Sequence, residues 1–258
     1  ERDAERQIAG LADPMAEHAR KPLLQHADDW ERVLNAKGNT KGYVTMKVAR
    51  VRETLKACRF KFIHQISPGR VVEHLAEKRE AGASAQTSNH HLDAVKAFTK
   101  WLVRERRMRD DPLARLQRMN VHADQRRERR ALSPEQFDSL LEAARAGEPF
   151  RGISGPDRAL LYLTAANTGL RRREMTSLTS TSFDLVPLRT ELVTLLRPWL
   201  ADKAPKEPCW PGTWHERAAR MLRKDLAAAG IDYKDDKGHV FDFHSLRPTF
   251  ISNLARAG

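Results

Sequence analysis

The 258-residue chain carries 46 Lys and Arg against 34 Asp and Glu, a formal net charge of +12 at pH 7. That length suits one large domain or, as expected here, two ordinary ones with a sizeable core, and the excess of cations points to a polyanionic partner, because clustered Lys and Arg release counterions condensed on nucleic acid. No uninterrupted apolar run is long enough to span a bilayer, and the two cysteines, Cys58 and Cys209, are too far apart for a zinc ribbon or a disulfide framework.

A reducing, cytoplasmic setting fits this cysteine usage. Membrane surfaces and acidic proteins also attract basic chains, so charge alone does not settle the partner. The chain starts at Glu1 and ends in an unfinished helical pattern, Asn253 to Gly258, so both ends are expected to be incomplete.

From Glu1 to about Arg20 the sequence is polar and charged, and reads as a helix or a loosely ordered arm. Leu23, Leu24, Ala27, Trp30, Val33 and Leu34 then recur at helical spacing, and Lys37-Gly38-Asn39 stops that helix. Thr40 caps the next, in which Tyr43, Val44, Val48, Val51 and Leu55 face inward while Lys41, Lys47, Arg50 and Arg52 form a basic stripe. Ser67-Pro68 opens a third helix through Val71, Val72, Leu75 and Ala76, ended by Gly82.

Thr87 or Ser88 opens a fourth, with His91, Leu92, Val95, Phe98, Trp101 and Leu102 inward and Asn89, His90, Lys96 and Lys100 free for solvent or a ligand. No strand pattern interrupts this half, which reads as a helical bundle over residues 1–118. Its cations suit DNA or merely a solvated surface.

Residues 119–131, with Arg126 and Arg127, have almost no apolar content and are expected to be a basic linker able to lie along a phosphate backbone. Ser133-Pro134-Glu135-Gln136 combines a cap, a first-turn proline and a glutamine that reaches back, so a second domain starts at 132. It continues through Phe137, Leu140, Leu141 and Ala144, a loop from Gly147 to Pro156, and an apolar helix over Ala159 to Ala166. Further helices are expected from Val186-Pro187-Leu188 through Leu200 and from His215 to Ala229, before a final segment from Val240.

Gly169 stops the apolar helix, and Arg171, Arg172 and Arg173 follow it with Glu174. A guanidinium held by an acid three residues on can grip a phosphate through two parallel hydrogen bonds, although a solvated basic turn would read the same way. His244 and Arg247, also three apart, can meet one ligand at the start of the last helix, with Leu246, Phe250, Ile251 and Leu254 as anchors. Alone, the pair is equally a capping histidine beside a surface arginine. Asp235, Asp236, His239, Asp242 and His244 match no metal-ligand spacing, and no glycine-rich phosphate loop or nucleophile elbow occurs.

Taken together, Thr168-Gly169-Leu170-Arg171-Arg172-Arg173-Glu174 with Ser177-Leu178, followed by His244-Ser245-Leu246-Arg247 with Thr249-Phe250, resemble the two arginine boxes of the tyrosine recombinase (phage integrase) family. The resemblance implies a mainly α fold. It has an N-terminal helical core-binding (SAM-like) bundle and a mixed, mostly helical integrase-type catalytic domain, 132–258, with a small β-sheet. It also implies that Arg171 and Arg247 clamp a scissile phosphate, that His244 bonds the same group and assists proton transfer, and that Glu174 supports Arg171. Lys41, Lys47, Arg50, Asn89, His90, Lys96, Lys100, Arg126, Arg127 and Arg172 are the residues expected to hold double-stranded DNA. Four protomers would form the recombining synapse, with the isolated chain monomeric as the other option.

No cofactor or metal is implied, and the location would be the nucleoid within the cytoplasm. The family cuts and rejoins strands through a 3′-phosphotyrosyl intermediate, using a tyrosine beyond the second box and a lysine on a β-hairpin. Here the tyrosines, Tyr43, Tyr162 and Tyr233, all precede His244, and Asp184-Leu185 runs straight into Val186-Pro187-Leu188. Pro248 stands where histidine is common in the family. The expectation is thus an incomplete recombinase without identifiable nucleophile or lysine acid, inactive by itself. The alternative is a non-catalytic DNA-binding or regulatory protein with the same fold.

Overall fold

The computed structural model describes residues 15–185, 188 and 190–247. The first part of the N-terminal arm, Val186, Pro187, and Pro248 with the anchors Phe250, Ile251 and Leu254 lie outside the described residues. Two compact units are present, Glu1–Arg126 and Arg127–Gly258.

The first unit is built from α1 (Ala16–Arg20), α2 (Leu23–Ala36), α3 (Lys41–Ala57), α4 (Pro68–Glu80) and α5 (Ala85–Arg104). Its core takes Leu23, Ala27, Trp30 and Leu34 from α2, Val44, Val48, Val51 and Leu55 from α3, and Leu92, Val95, Phe98, Trp101 and Leu102 from α5. Trp30 and Phe98 meet with ring centroids 5.5 Å apart. Burying a side chain of this size contributes roughly 1.5–3 kcal/mol. The fourth helix starts earlier than its sequence suggests, because Ser84 Oγ takes the Thr87 backbone N–H at 3.2 Å. Tyr43 is not a core residue: it is 41% exposed, and its hydroxyl accepts Lys47 Nζ at 2.6 Å.

Polar groups are also folded into this unit. Asp29 is buried and accepts Lys21, Arg107 and Arg32, while Arg107 stacks 4.6 Å from the Trp101 ring centroid. Burial raises the Asp29 carboxyl, but these three hydrogen bonds outweigh it and hold the pKa well below the usual range. Burial lowers the pKa of His26, His74 and His91, which favours their neutral forms. Groups whose folded pKa is depressed destabilise a fold as pH falls below the unfolded value. The first unit is therefore expected to melt progressively lower from about pH 6.5, where free histidine titrates, and faster below about pH 4, where free Asp29 would protonate. Circular-dichroism melts at pH 7, 5 and 3.5 measure this, and an unchanged midpoint between pH 7 and 5 would refute the histidine part.

The second unit contains α6 (Pro134–Ala146), α7 (Gly155–Thr168), α8 (Arg172–Ser177), α9 (Thr190–Ala201) and α10 (Ala218–Ala228). Ser133 and Gln136 form the reciprocal cap at the start of α6, each side chain taking the other's backbone N–H at 3.2 Å. The helix expected from His215 begins as a 3-10 turn, Trp214–Arg217, before α10. Asp225 on α10 accepts Arg158 and Tyr162 of α7, and all three are buried. Gly152 and Gly212 lie back to back; a Cβ on Gly212 would come within 2.3 Å of the Arg151 carbonyl oxygen, so the two loops approach only as glycines.

The small β-sheet expected here is reduced, among the described residues, to isolated bridges. Val240 pairs with Arg129 on one side and with Lys234 on the other, and Thr179 pairs with Pro208. The segment expected to be a basic linker is held by hydrogen bonds: Asp124 accepts the Ala85 N–H, Arg126 donates to the carbonyls of Gly82 and Ala83, and the Arg130 N–H donates to the Val240 carbonyl oxygen. A segment with almost no apolar content is fastened by hydrogen bonds instead of core.

Candidate functional site

The first box hangs from the end of α7. Leu161, Tyr162, Ala165 and Ala166 bury that helix, and Gly169 ends it in the left-handed conformation, φ 64°, where an L side chain is strained. The reversal leaves Arg171 in extended backbone immediately before α8. Glu174 then reaches back: its Oε2 accepts the Arg171 N–H at 2.7 Å and its Oε1 accepts Arg171 Nη1 at 3.0 Å. Arg171 is thus a cap residue that shares no helical face with Glu174. Its side chain is 64% exposed. An exposed pair of this kind adds little stability, so its effect is to aim the guanidinium.

The second box is a 3-10 turn, Phe243–Ser245, running into Leu246 and Arg247. Phe243 and Leu246 point inward and are buried, whereas His244 and Arg247 are exposed. Phe243 packs against Tyr162 of α7 at 6.2 Å and against Trp214 at 5.8 Å between centroids. Asp242 Oδ1 accepts the His244 N–H at 2.9 Å, and the Asp242 N–H goes to Ser245 Oγ at 3.0 Å.

The Glu174 carboxyl lies below its ordinary pKa, held there by the Arg171 backbone N–H, then by the Arg171 side chain, with the charge of Arg247 the smallest contribution. Its direct contacts are to Arg171 alone, and the Arg171 and Arg247 side chains are both exposed.

Beside this lies an open cleft of about 560 Å³ lined by Arg172, Arg173, Thr176, His215 and Glu216. Arg172 is committed there, donating to the His215 carbonyl oxygen at 2.8 Å, so it braces the cleft wall. Sequence reasoning did not single out His215 or Arg173, which line this cleft. The only signal was the proximity of Arg173 to the first box, and His215 read as the start of an ordinary amphipathic helix.

In the first unit, Lys41 and Lys100 are exposed, Arg50 and His90 are half-buried, and Lys47 leans 5.0 Å over the Tyr43 ring. Two expected ligand contacts are used internally. Asn89 is buried and exchanges hydrogen bonds with the Met119 backbone, and Lys96 Nζ donates to the carbonyls of Ala114 and Leu116. Arg126 is likewise bonded to Asp124, Gly82 and Ala83, whereas Arg127 in the second unit is exposed.

Tyr162 is fully buried with its hydroxyl donated to Asp225 at 2.7 Å, and Tyr233 lies under Arg223, 4.3 Å from the ring centroid. Lys203 Nζ stacks 4.1 Å from the Trp199 ring centroid. Burial raises both cysteine thiols to about 11, which makes Cys58 and Cys209 poor nucleophiles. Among the described residues no three His, Cys, Asp or Glu side chains are grouped to hold a metal, and no helix is long and apolar enough to cross a membrane.

Residues 30–106 match the model of the phage integrase N-terminal SAM-like domain. The chain is similar to the tyrosine recombinase XerD of Yersinia pestis, 28% identical over 220 residues, covering 74% of this chain and 70% of that one. Solved structures with the same fold include a lambda integrase tetramer bound to a Holliday junction, with a TM-score of 0.67 and 13% identity, covering 98% of this chain and 78% of that one. The Tn1549 transposon integrase in complex with transposon right end DNA has a TM-score of 0.69 and 17% identity, over 92% of this chain and 87% of that one.

Proposed function

We propose that the chain is a tyrosine recombinase, a site-specific DNA recombinase in which Arg171 and Arg247 grip one phosphate of the strand to be cut; the SAM-like domain match, the likeness to XerD and the integrase fold support this reading. The observation that carries this reading is that both boxes present exposed cations from buried supports: Glu174 bonds the backbone and side chain of Arg171, and the buried Phe243 and Leu246 leave His244 and Arg247 outward. Phosphoryl transfer without a metal needs fixed cations where negative charge grows, and these two arginines supply them.

His244 donates a hydrogen bond to the same phosphate and assists the proton's movement. In the family's reaction a tyrosine oxygen bonds to phosphorus, the bond to the 5′-oxygen breaks, and that oxygen leaves as a hydroxyl after taking up a proton. A 5′-hydroxyl later reverses the exchange, so the energy of the cleaved bond stays in the covalent link. Arg173 and His215 extend the clamp along the neighbouring backbone. Lys41, Lys47, Arg50, Lys100 and Arg127 add phosphate contacts that position DNA without reading its sequence. The working assembly is four protomers on DNA, for which the lambda integrase tetramer is the supporting likeness.

A second reading is favoured by a specific observation. The Tyr162 hydroxyl is committed to Asp225, and Lys203 lies on Trp199, so neither a nucleophile nor a lysine acid is identified. On that ground these 258 residues by themselves are expected to bind DNA without cutting it. Trapping on a nicked duplex separates the readings. The full-length protein should form a covalent protein–DNA adduct, whereas these residues alone should only shift the duplex in a gel. Failure of the full-length protein to form any adduct on its own site would leave a DNA-binding regulator.

A further inference from the structure

The chain enters the second unit along a short seam. The Val240 N–H donates to the Glu128 carbonyl oxygen at 2.8 Å, and the Arg130 N–H donates to the Val240 carbonyl oxygen at 3.1 Å. Between those two backbone bonds, Arg129 Nε donates to both carboxylate oxygens of Asp242 at 3.0 and 3.2 Å. Asp242 is only 9% exposed and is the residue whose Oδ1 fixes the His244 N–H. Burial raises its carboxyl, yet the Arg129 hydrogen bond and charge outweigh burial and keep the pKa lowered.

The same seam is closed from its other side. His239 Nε2 faces Glu128 Oε2 at 3.4 Å, His239 Nδ1 faces Asp235 Oδ2 at 3.2 Å, and Arg130 Nη2 donates to the Asp232 carbonyl oxygen. The charged groups along the path are therefore Glu128, Arg129, Arg130, Asp235, His239 and Asp242, with His244 and Arg247 at its end.

We propose that Arg129 and Asp242 are positioning residues, through which the segment entering the second unit locks the turn that carries His244 and Arg247. The clamp is then fully formed only while residues 128–130 are seated against Val240. Without Arg129, the nearly buried Asp242 carboxylate keeps the His244 N–H and the Ser245 hydroxyl at Oδ1 but loses its paired cation, so it turns toward water or another cation and loosens its hold on the His244 N–H. Phe243 and Leu246 still hold the turn to the core, so what is lost is the aim of the outward residues rather than the fold. The consequence for DNA rests on the reading of His244 and Arg247 as phosphate ligands, but the lock itself does not.

Amide hydrogen exchange followed by NMR on the full chain tests the lock in the parent, Arg129→Gln, Arg129→Lys and Asp242→Asn. Exchange of the His244 and Ser245 amides should quicken about fivefold or more in Arg129→Gln and Asp242→Asn, the equivalent of losing one ordinary hydrogen bond. Arg129→Lys, which keeps the cation, should return within about twofold of the parent, and the Leu161 and Met221 amides in the core should not change. Parent-like exchange at His244 in Arg129→Gln overturns the proposal.

Titration with inorganic phosphate supplies the second arm. The Arg247 and His244 resonances of the parent should respond, Arg129→Gln should need about fivefold more phosphate, and Arg129→Lys should recover. A parent that does not respond refutes the phosphate reading while the exchange data still judge the lock. A normal phosphate response in Arg129→Gln refutes the positioning role even if exchange is faster.

Discussion

Asp225→Ala is expected to destabilise the second unit by about 3–5 kcal/mol, the cost of breaking a buried ion pair from one side. Asp225 accepts Arg158 Nε at 2.8 Å, Arg158 Nη2 at 3.0 Å and the Tyr162 hydroxyl at 2.7 Å, and none of the three residues is more than 4% exposed. Alanine would leave a guanidinium in the core without its counter-charge and a phenol without its acceptor. The carbonyls of Ala144 and Glu148, which also take Arg158, cannot neutralise it. Replacing both partners by apolar residues, as in Arg158→Met with Asp225→Leu, should cost much less, because no buried charge remains. Scanning calorimetry reads both, the first unit's transition serving as internal reference. A loss below about 1 kcal/mol for Asp225→Ala would contradict the burial argument.

Arg171→Ala and Arg247→Ala should each slow adduct formation on nicked DNA by about 10²–10³-fold in the full-length protein, the scale seen when a donor to developing negative charge is removed. Both side chains are exposed, so melting temperature should stay within the small range of ordinary surface substitutions. Arg171→Lys should not restore the rate, because an ammonium cannot make two parallel bonds to a phosphate while also holding Glu174. Arg173→Ala gives the contrast: weaker binding to all sequences and a shallower salt dependence, with little change in the chemical step once DNA is saturating. A fall of less than tenfold for Arg171→Ala, measured by single-turnover gel assay, would remove Arg171 from the reaction.

The helices of both units were legible because their burial follows helical spacing, as in Trp30, Leu34, Val44 and Val48, and because caps such as Ser133 and Gly169 have local chemistry. The boxes were legible as patterns, and the inward pair Phe243 and Leu246 explains why His244 and Arg247 face outward. What the sequence could not give was the employment of polar side chains. Asn89, Lys96, Arg126 and Arg172 look like any other cations or amides in a basic chain, yet each is occupied by a carbonyl or amide distant in sequence. The seam from Arg129 to Asp242 was hidden for the same reason: its partners are 113 residues apart. Tyr43 was misplaced because helical spacing marks a face without marking where that face meets solvent.

The turn that carries the second box divides its work between inward and outward side chains. Phe243 and Leu246 are needed for folding, and His244 and Arg247 contribute almost nothing to it. On the reading of His244 and Arg247 as phosphate ligands, selection for a stable protein and selection for strand exchange act on different residues of one short segment. A lineage that stopped needing recombination could lose the outward pair by drift and still inherit a well-folded, positively charged protein. In such descendants, retention of Phe243 and Leu246 would say nothing about activity, whereas the residues at 244 and 247 would record when the chemistry was abandoned.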